Sequence, residues 1–124
     1  MSSEEATPGH NRDEESSERQ SAEVRAYWNA HLHDASATNH PVGSAGFFRD
    51  LDDFRFTKLP YLPQRVDFTS FAGQDVLEVG CGAGIDLARF ARGGARVTGV
   101  ELAESALRLA RTGFELDGLV GSFQ

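Results

Sequence analysis

The chain has 124 residues, 40% of them hydrophobic and 25% charged, which bounds it to one domain of ordinary size and excludes a fibrous or wholly disordered protein. Its net charge of −7 is unevenly spread: residues 1–20 hold six acids (Glu4, Glu5, Asp13, Glu14, Glu15, Glu18) against Arg12 and Arg19. The remainder is mildly acidic, with no basic stripe to follow a phosphate backbone, so nucleic acid is not expected as a substrate.

Residues 1–20 are rich in Ser, Glu and Asp and nearly free of large apolar side chains. Such a segment buries too little surface to offset its ordering entropy and is read as a disordered acidic tail. It lacks the basic and apolar regions of a secretory signal, and its acids argue against a transit peptide. Cys81 is the single cysteine, so no intrachain disulfide forms. No apolar run approaches the ~20 residues of a membrane span. The expectation is a cytoplasmic protein with no membrane partner.

From Ser21, Val24, Trp28 and Leu32 recur every four residues with Tyr27 and His31 beside them, which predicts an amphipathic helix ending near Asp34. Residues 35–46 are polar and turn-prone, with Asn39-His40-Pro41 among them. A second helix is predicted from Phe47 to about Leu59, stopped by Pro60, with Phe47, Phe48, Leu51, Phe54 and Leu59 facing inward. Arg49, Asp50, Asp52, Asp53, Arg55 and Lys58 are read as its solvated face. Pro63 interrupts the following residues, and Val66, Phe68 and Phe71 lead into a Gly73-Gln74 turn. Core packing is expected for Tyr27 and Trp28 and for the group Phe47, Phe48, Phe54 and Phe56. His31-Leu32-His33-Asp34 is not read as a metal site, because residues two apart on a helix point in different directions.

After Gly73 the rhythm changes to alternating strands and helices. Strands are predicted at Asp75–Val79 and Arg96–Val100, with a third beginning at Leu119–Phe123. Helices are predicted from Ile85 to about Arg92, closed by Gly93-Gly94, and from Ala103 to about Glu115. Ala103, Ala106, Leu107, Ala110 and Phe114 share one face of the latter. The alternation implies an α/β fold with a parallel sheet flanked by helices.

Between the first strand and its helix lies Glu78-Val79-Gly80-Cys81-Gly82-Ala83-Gly84. Glycines there let backbone approach a ligand closely, and the helix that follows presents unpaired N–H groups. A dinucleotide fingerprint would place its third glycine where Ile85 stands. Glu78 would repel a pyrophosphate and suits a ligand carrying positive charge, such as the ammonium and sulfonium of S-adenosylmethionine. Glu101, at the end of the second strand, is placed to accept hydrogen bonds from both hydroxyls of a ribose. Cys81 has no assignable base and is given a passive role.

The run from Glu78 to Gly84 followed by Glu101-Leu102 resembles the first two motifs of the Rossmann-like, class I S-adenosylmethionine-dependent methyltransferases, in the methyltransferase-domain group that acts on quinone precursors and other small molecules. The resemblance covers about residues 75–124 and implies that Glu78, Gly80, Cys81, Gly82, Gly84, Glu101 and Leu102 contact the cofactor. In it the glycines line the methionine portion, Glu78 binds near its amino group, Glu101 holds the ribose and Leu102 packs on the adenine. Residues 21–73 then correspond to a lid-like helical extension and 74–124 to the N-terminal half of the cofactor-binding domain. Position 103 is Ala where the family often has a helix-capping serine. The family's sheet has seven strands, of which strands 1, 2 and the start of 3 are expected here, so the site is expected to be incomplete and no catalytic residue is assigned. A methyltransferase with a small-molecule acceptor is the leading expectation. The alternatives are a non-catalytic binding or interaction fragment and, disfavoured by Glu78 and Ile85, half of an NAD-dependent oxidoreductase domain.

Overall fold

A computed structural model describes residues 10–30 and 37–124. Helix α1 (His10–Ala30) is followed by α2 (Ala45–Lys58), the short α3 (Leu62–Arg65), β1 (Asp75–Val79), α4 (Ile85–Arg92), β2 (Arg96–Val100), α5 (Glu104–Leu116) and β3 (Gly121–Phe123).

Helix α1 corrects the expectation of a disordered tail across residues 10–20. Polarity prevents burial but not helix formation: Glu, Gln, Arg and Ala are good helix formers, and Asp13 in the first turn complements the helix dipole. Glu15 and Arg19 also pair at i, i+4 across 3.8 Å. Residues 12–26 are all exposed, so Val24, expected on a buried stripe, lies at the surface. The expectations for the side chains of Tyr27, Trp28, His31, Leu32 and His33 lie outside the described residues.

Helix α2 starts two residues ahead of the expected Phe47, because Ser44 serves as its N-cap and accepts a hydrogen bond from the Phe47 N–H at 3.3 Å. Phe47 and Leu51 are buried against the α/β part. Phe48 covers α5 at Gly113, where an added Cβ would come within 3.0 Å of the ring. Pro63 does not simply break the chain; it sits in the first turn of α3, where its missing N–H has no helical partner to lose. Edge-to-face contacts run Phe56–Phe68–Phe90–Phe71 with centroids 5.8, 4.8 and 5.6 Å apart, tying α2 and the segment after α3 to α4. Gly93 permits this crossing, since a Cβ there would meet the Phe68 carbonyl oxygen.

The expected α/β architecture forms, with three parallel strands in the order β1-β2-β3. Val79 stands beside Val100, and Gly99 beside Phe123. One face of the sheet carries Val76, Val97 and Phe123 against Leu87 of α4 and Leu107 and Phe114 of α5. Ala103, Ala106, Leu107, Ala110 and Phe114 are all buried, as their helical spacing requires. The opposite face leaves Leu77 and Val79 62% and 78% exposed. Among the described residues no helix is long and apolar enough to cross a membrane.

Gly99 is the closest point of this packing. A Cβ there would lie 2.6 Å from Cys81 Sγ and 2.9 Å from Leu87 Cδ1. Gly99→Ala is therefore expected to overpack the junction of β2, the glycine loop and α4, costing ~1–3 kcal/mol in urea or thermal unfolding. Wild-type stability in that variant would show that Cys81 and Leu87 do not pack on bare backbone.

Candidate functional site

The C-terminal ends of β1 and β2 are locked together by backbone. The Val100 carbonyl accepts from both the Gly80 and Cys81 N–H groups, at 2.7 and 3.1 Å. This carries the chain past the end of β1 and turns it over the tip of β2. Gly80, Gly82 and Gly84 then all take positive φ (73°, 54° and 77°), a region from which a Cβ is largely excluded. The Gly84 N–H closes the turn on the Cys81 carbonyl at 3.0 Å, and α4 begins at once.

The three glycines differ in what they leave room for. A Cβ on Gly80 or Gly82 would meet nothing within 4 Å and would project into open space. A Cβ on Gly84 would lie 3.2 Å from Ala110 and 3.5 Å from Phe114. Gly84 is buried, absent from the cleft wall, and brings α4 close to α5. The first two glycines face the cleft; the third serves helix packing.

That cleft has a volume of about 350 Å³ and is lined by Gly80, Cys81, Gly82, Ala83 and Ile85, together with Glu78, Asp86 and, from α2, Leu51 and Arg55. The volume lies within the range of small-molecule sites. Glu78 is half-buried, and its carboxyl is pushed up to about 7, first by burial and then by the nearby charge of Asp86, against the lowering effect of Arg55. Burial, reinforced by Glu78 and Glu101, pushes the Cys81 thiol up to about 11. A thiol so disposed is not a nucleophile, in line with its expected passive role.

Glu101 does not line the cleft directly. Its Oε2 accepts from the Gly82 N–H at 3.0 Å and its Oε1 from the Ala103 N–H at 3.1 Å. It thus fixes the middle of the glycine loop and satisfies a donor at the start of α5, whose Ala103 N-cap has no side chain to do so. Each carboxylate oxygen keeps a lone pair for a further donor. Leu102, beside it, is half exposed.

Arg55, which the sequence placed on a solvated face, and Asp86, which it did not single out, both line the cleft. Arg55 Nε and Nη2 donate to Asp86 Oδ1 and Oδ2 at 2.5 and 2.6 Å, a two-pronged pair between α2 and α4. Arg89 makes the reciprocal pair with Asp52 of α2 at 3.0 and 2.8 Å, with its guanidinium 3.5 Å from the Phe56 ring centre. Asp50 accepts from Thr38 and pairs with His40, both at 2.7 Å. Asp52 and Arg55 are therefore part-buried against α4 instead of lying on a solvated face, while Asp50 keeps its partners at an exposed site. No group of His, Cys, Asp and Glu suited to a metal occurs among the described residues.

Comparison with known proteins bears on this site. The methyltransferase domain family matches residues 76–124. The ubiquinone biosynthesis O-methyltransferase of Nitrosospira multiformis is 39% identical over 64 residues, which cover 52% of this chain and 26% of that protein. That of Nitrosococcus oceani is 37% identical over 79 residues, covering 64% of this chain and 32% of that protein. Among solved structures, a 16S rRNA N2 methyltransferase of T. thermophilus in complex with AdoMet and guanosine aligns with a TM-score of 0.48 at 25% identity, over 71% of this chain and 20% of that one. The matched region spans between a quarter and a third of the curated relatives' length. Residues 76–124, which the methyltransferase domain family matches, hold the first strand, the glycine loop, α4 and the second acid, Glu101.

Proposed function

We propose that this chain carries the S-adenosylmethionine site of a cytoplasmic methyltransferase that acts on a small-molecule acceptor. The observation that carries the proposal is the cleft at Glu78, Gly80 and Gly82: an acid in a half-buried position facing backbone that has no side chains in the way. The residues present fit the cofactor. Its methionine end is cationic at two atoms, and the cleft offers a carboxyl group and two glycines whose missing Cβ atoms leave room for close approach. When bound, S-adenosylmethionine supplies an electrophilic methyl carbon on its sulfonium.

In this reading Glu78 receives the cofactor's amino group, while the backbone of Gly80, Cys81 and Gly82 lines its methionine chain. Gly84 acts one step back, by letting α4 approach α5. Glu101 offers its remaining lone pairs to the ribose hydroxyls without releasing the loop, and the half-exposed Leu102 flanks the adenine. Helix α2 forms the lid-like wall of the cleft through Leu51 and Arg55. Orientation of the two reactants carries much of the rate in such a displacement, and no residue of this chain is assigned as a base. The small-molecule acceptor is supported by the curated relatives, which are named for ubiquinone biosynthesis.

Calorimetry with S-adenosylmethionine, S-adenosylhomocysteine and NAD tests the proposal. The first two are expected to bind and NAD is not; binding of NAD alone would overturn it. Gly82→Val is expected to abolish binding while the far-ultraviolet circular dichroism stays unchanged, because its side chain fills the cleft and strains a positive φ. Glu101→Ala is expected to weaken binding by ~1.5–3 kcal/mol, the worth of hydrogen bonds to a charged group, and to lower stability as well.

Glu78 should show a conflict between stability and binding. Its carboxyl is raised from 4.5 to about 7 on folding, so the folded protein binds the extra proton between those values. This contribution is fully present below pH 4.5 and is lost as pH rises through 7. Glu78→Gln is therefore expected to raise the melting temperature of the ligand-free protein at pH 8 and to weaken S-adenosylmethionine binding at the same pH. A variant that is both less stable and equally able to bind would remove Glu78 from the site.

A further inference from the structure

Of the described residues that line the Glu78 cleft, Glu78 and Asp86 are acids and Arg55, from α2, is the one base. The neighbouring cations are placed elsewhere. Arg89 is held by Asp52 and the Phe56 ring, while Arg49 and Arg92 line a separate groove with Asp53, Gly113 and Asp117. Arg55 is tied to Asp86 through Nε and Nη2. The two partners are unequally enclosed: the Asp86 side chain is 14% exposed and that of Arg55 38%, so the acid is the anchor and the base the accessible member.

An ion pair that only docks α2 needs no place in the cleft. Arg89 and Asp52 show this, since they join the same two helices with the same two-pronged geometry and neither lines the cavity. The pair of Arg55 and Asp86 does line it, and brings a guanidinium into the space proposed for the methionine end of the cofactor. That end is an α-amino acid, with its ammonium and carboxylate on one carbon. Receivers for the two groups must therefore flank one small space, as Glu78 and Arg55 do across a cleft of about 350 Å³. Without a base there, the carboxylate would meet Glu78 and Asp86 and be repelled. A guanidinium carries five N–H donors in a planar fork, so holding one carboxylate is compatible with receiving a second.

We infer that Arg55 receives the carboxylate of the cofactor's methionine end, while Asp86 holds the guanidinium at the cleft wall. The inference rests on the cofactor site proposed above, and it makes that site a reader of a whole α-amino-acid group instead of a cation alone. Two acids by themselves would favour any cation of suitable shape. With Arg55 beside them, a ligand that keeps both the amino group and the carboxylate is preferred, and α2 takes part in binding as well as in enclosing the cleft.

The decarboxylated analogue of S-adenosylmethionine tests this, because it keeps the sulfonium, amino group, ribose and adenine and lacks the carboxylate. Calorimetry measures both ligands on the wild type and on Arg55→Gln, and the ratio of their dissociation constants is the readout. Structural damage from the substitution weakens both ligands alike and cancels in that ratio. The preference for the carboxylate-bearing ligand is expected to fall about tenfold or more in Arg55→Gln, as for the loss of hydrogen bonds between charged groups. Arg55→Lys, which keeps the charge but not the fork, is expected to fall between the two. An equal ratio in the wild type and Arg55→Gln would overturn the inference and leave the cofactor site standing. Failure of both ligands to bind the wild type would instead sink the cofactor reading. Should Arg55→Gln fail to fold, the wild type decides by nitrogen-15 NMR of the Arg55 Nε–H, assigned through its loss in Arg55→Lys. That resonance is expected to shift with S-adenosylmethionine and to stay in place with the decarboxylated analogue. The same response to both ligands would overturn the inference.

Discussion

The site depends on how the chain leaves β1. The Val100 carbonyl accepts two successive N–H groups, those of Gly80 and Cys81, so the strand pairing continues for one residue after β1 has ended and then turns sharply over β2. Given that junction, much of the remaining geometry follows. Cys81 drops onto Gly99, where only a residue without a side chain leaves room. The Gly82 N–H comes within reach of Glu101, and α4 starts at Ile85 with its first turn beside Glu78. A parallel sheet places the ends of adjacent strands together, so an acid at the tip of each strand reaches the same loop.

The two acids at that edge live under different conditions. Glu101 is held by two backbone donors, an arrangement that suits a carboxylate and costs the fold nothing. Glu78, by contrast, faces another acid, Asp86, with Arg55 nearby. A half-buried carboxyl beside another acid is an unfavourable element of the fold. The fold thus holds one acid tied to two backbone donors and a second that faces another acid.

Much of the α/β part was legible in the sequence because its signals are local. The strands at 75–79 and 96–100 and the helix at 85–92 have the expected bounds. Their apolar periods are uninterrupted, and glycines mark their ends. The buried face of α5 could be read from spacing alone, since Ala106, Leu107, Ala110 and Phe114 are three and four residues apart. Gly84 shows the limit of such reading: it shares the spacing and backbone conformation of Gly80 and Gly82, but its role in packing depends on Ala110, which only the folded chain brings near. Residues 12–20 could be read as too polar to bury, which is so, but not as unstructured, because helix formation in a polar segment is decided by propensity and local pairs.

The charges of α2 were not legible for a related reason. Within their own helix, Asp52 and Arg55 fit a polar stripe, and nothing in their spacing distinguishes a solvated face from one laid against another charged helix. Their partners, Arg89 and Asp86, lie on α4 in the mirrored order, so that each helix gives one acid and one base to the contact. Two crossed pairs fix a helix in translation as well as rotation, which apolar contacts such as Phe47 and Leu51 do less sharply. Had α2 been held by its phenylalanines alone, it could slide and still bury the same area. The ion pairs remove that freedom, and one of them, between Arg55 and Asp86, ends in the cleft wall.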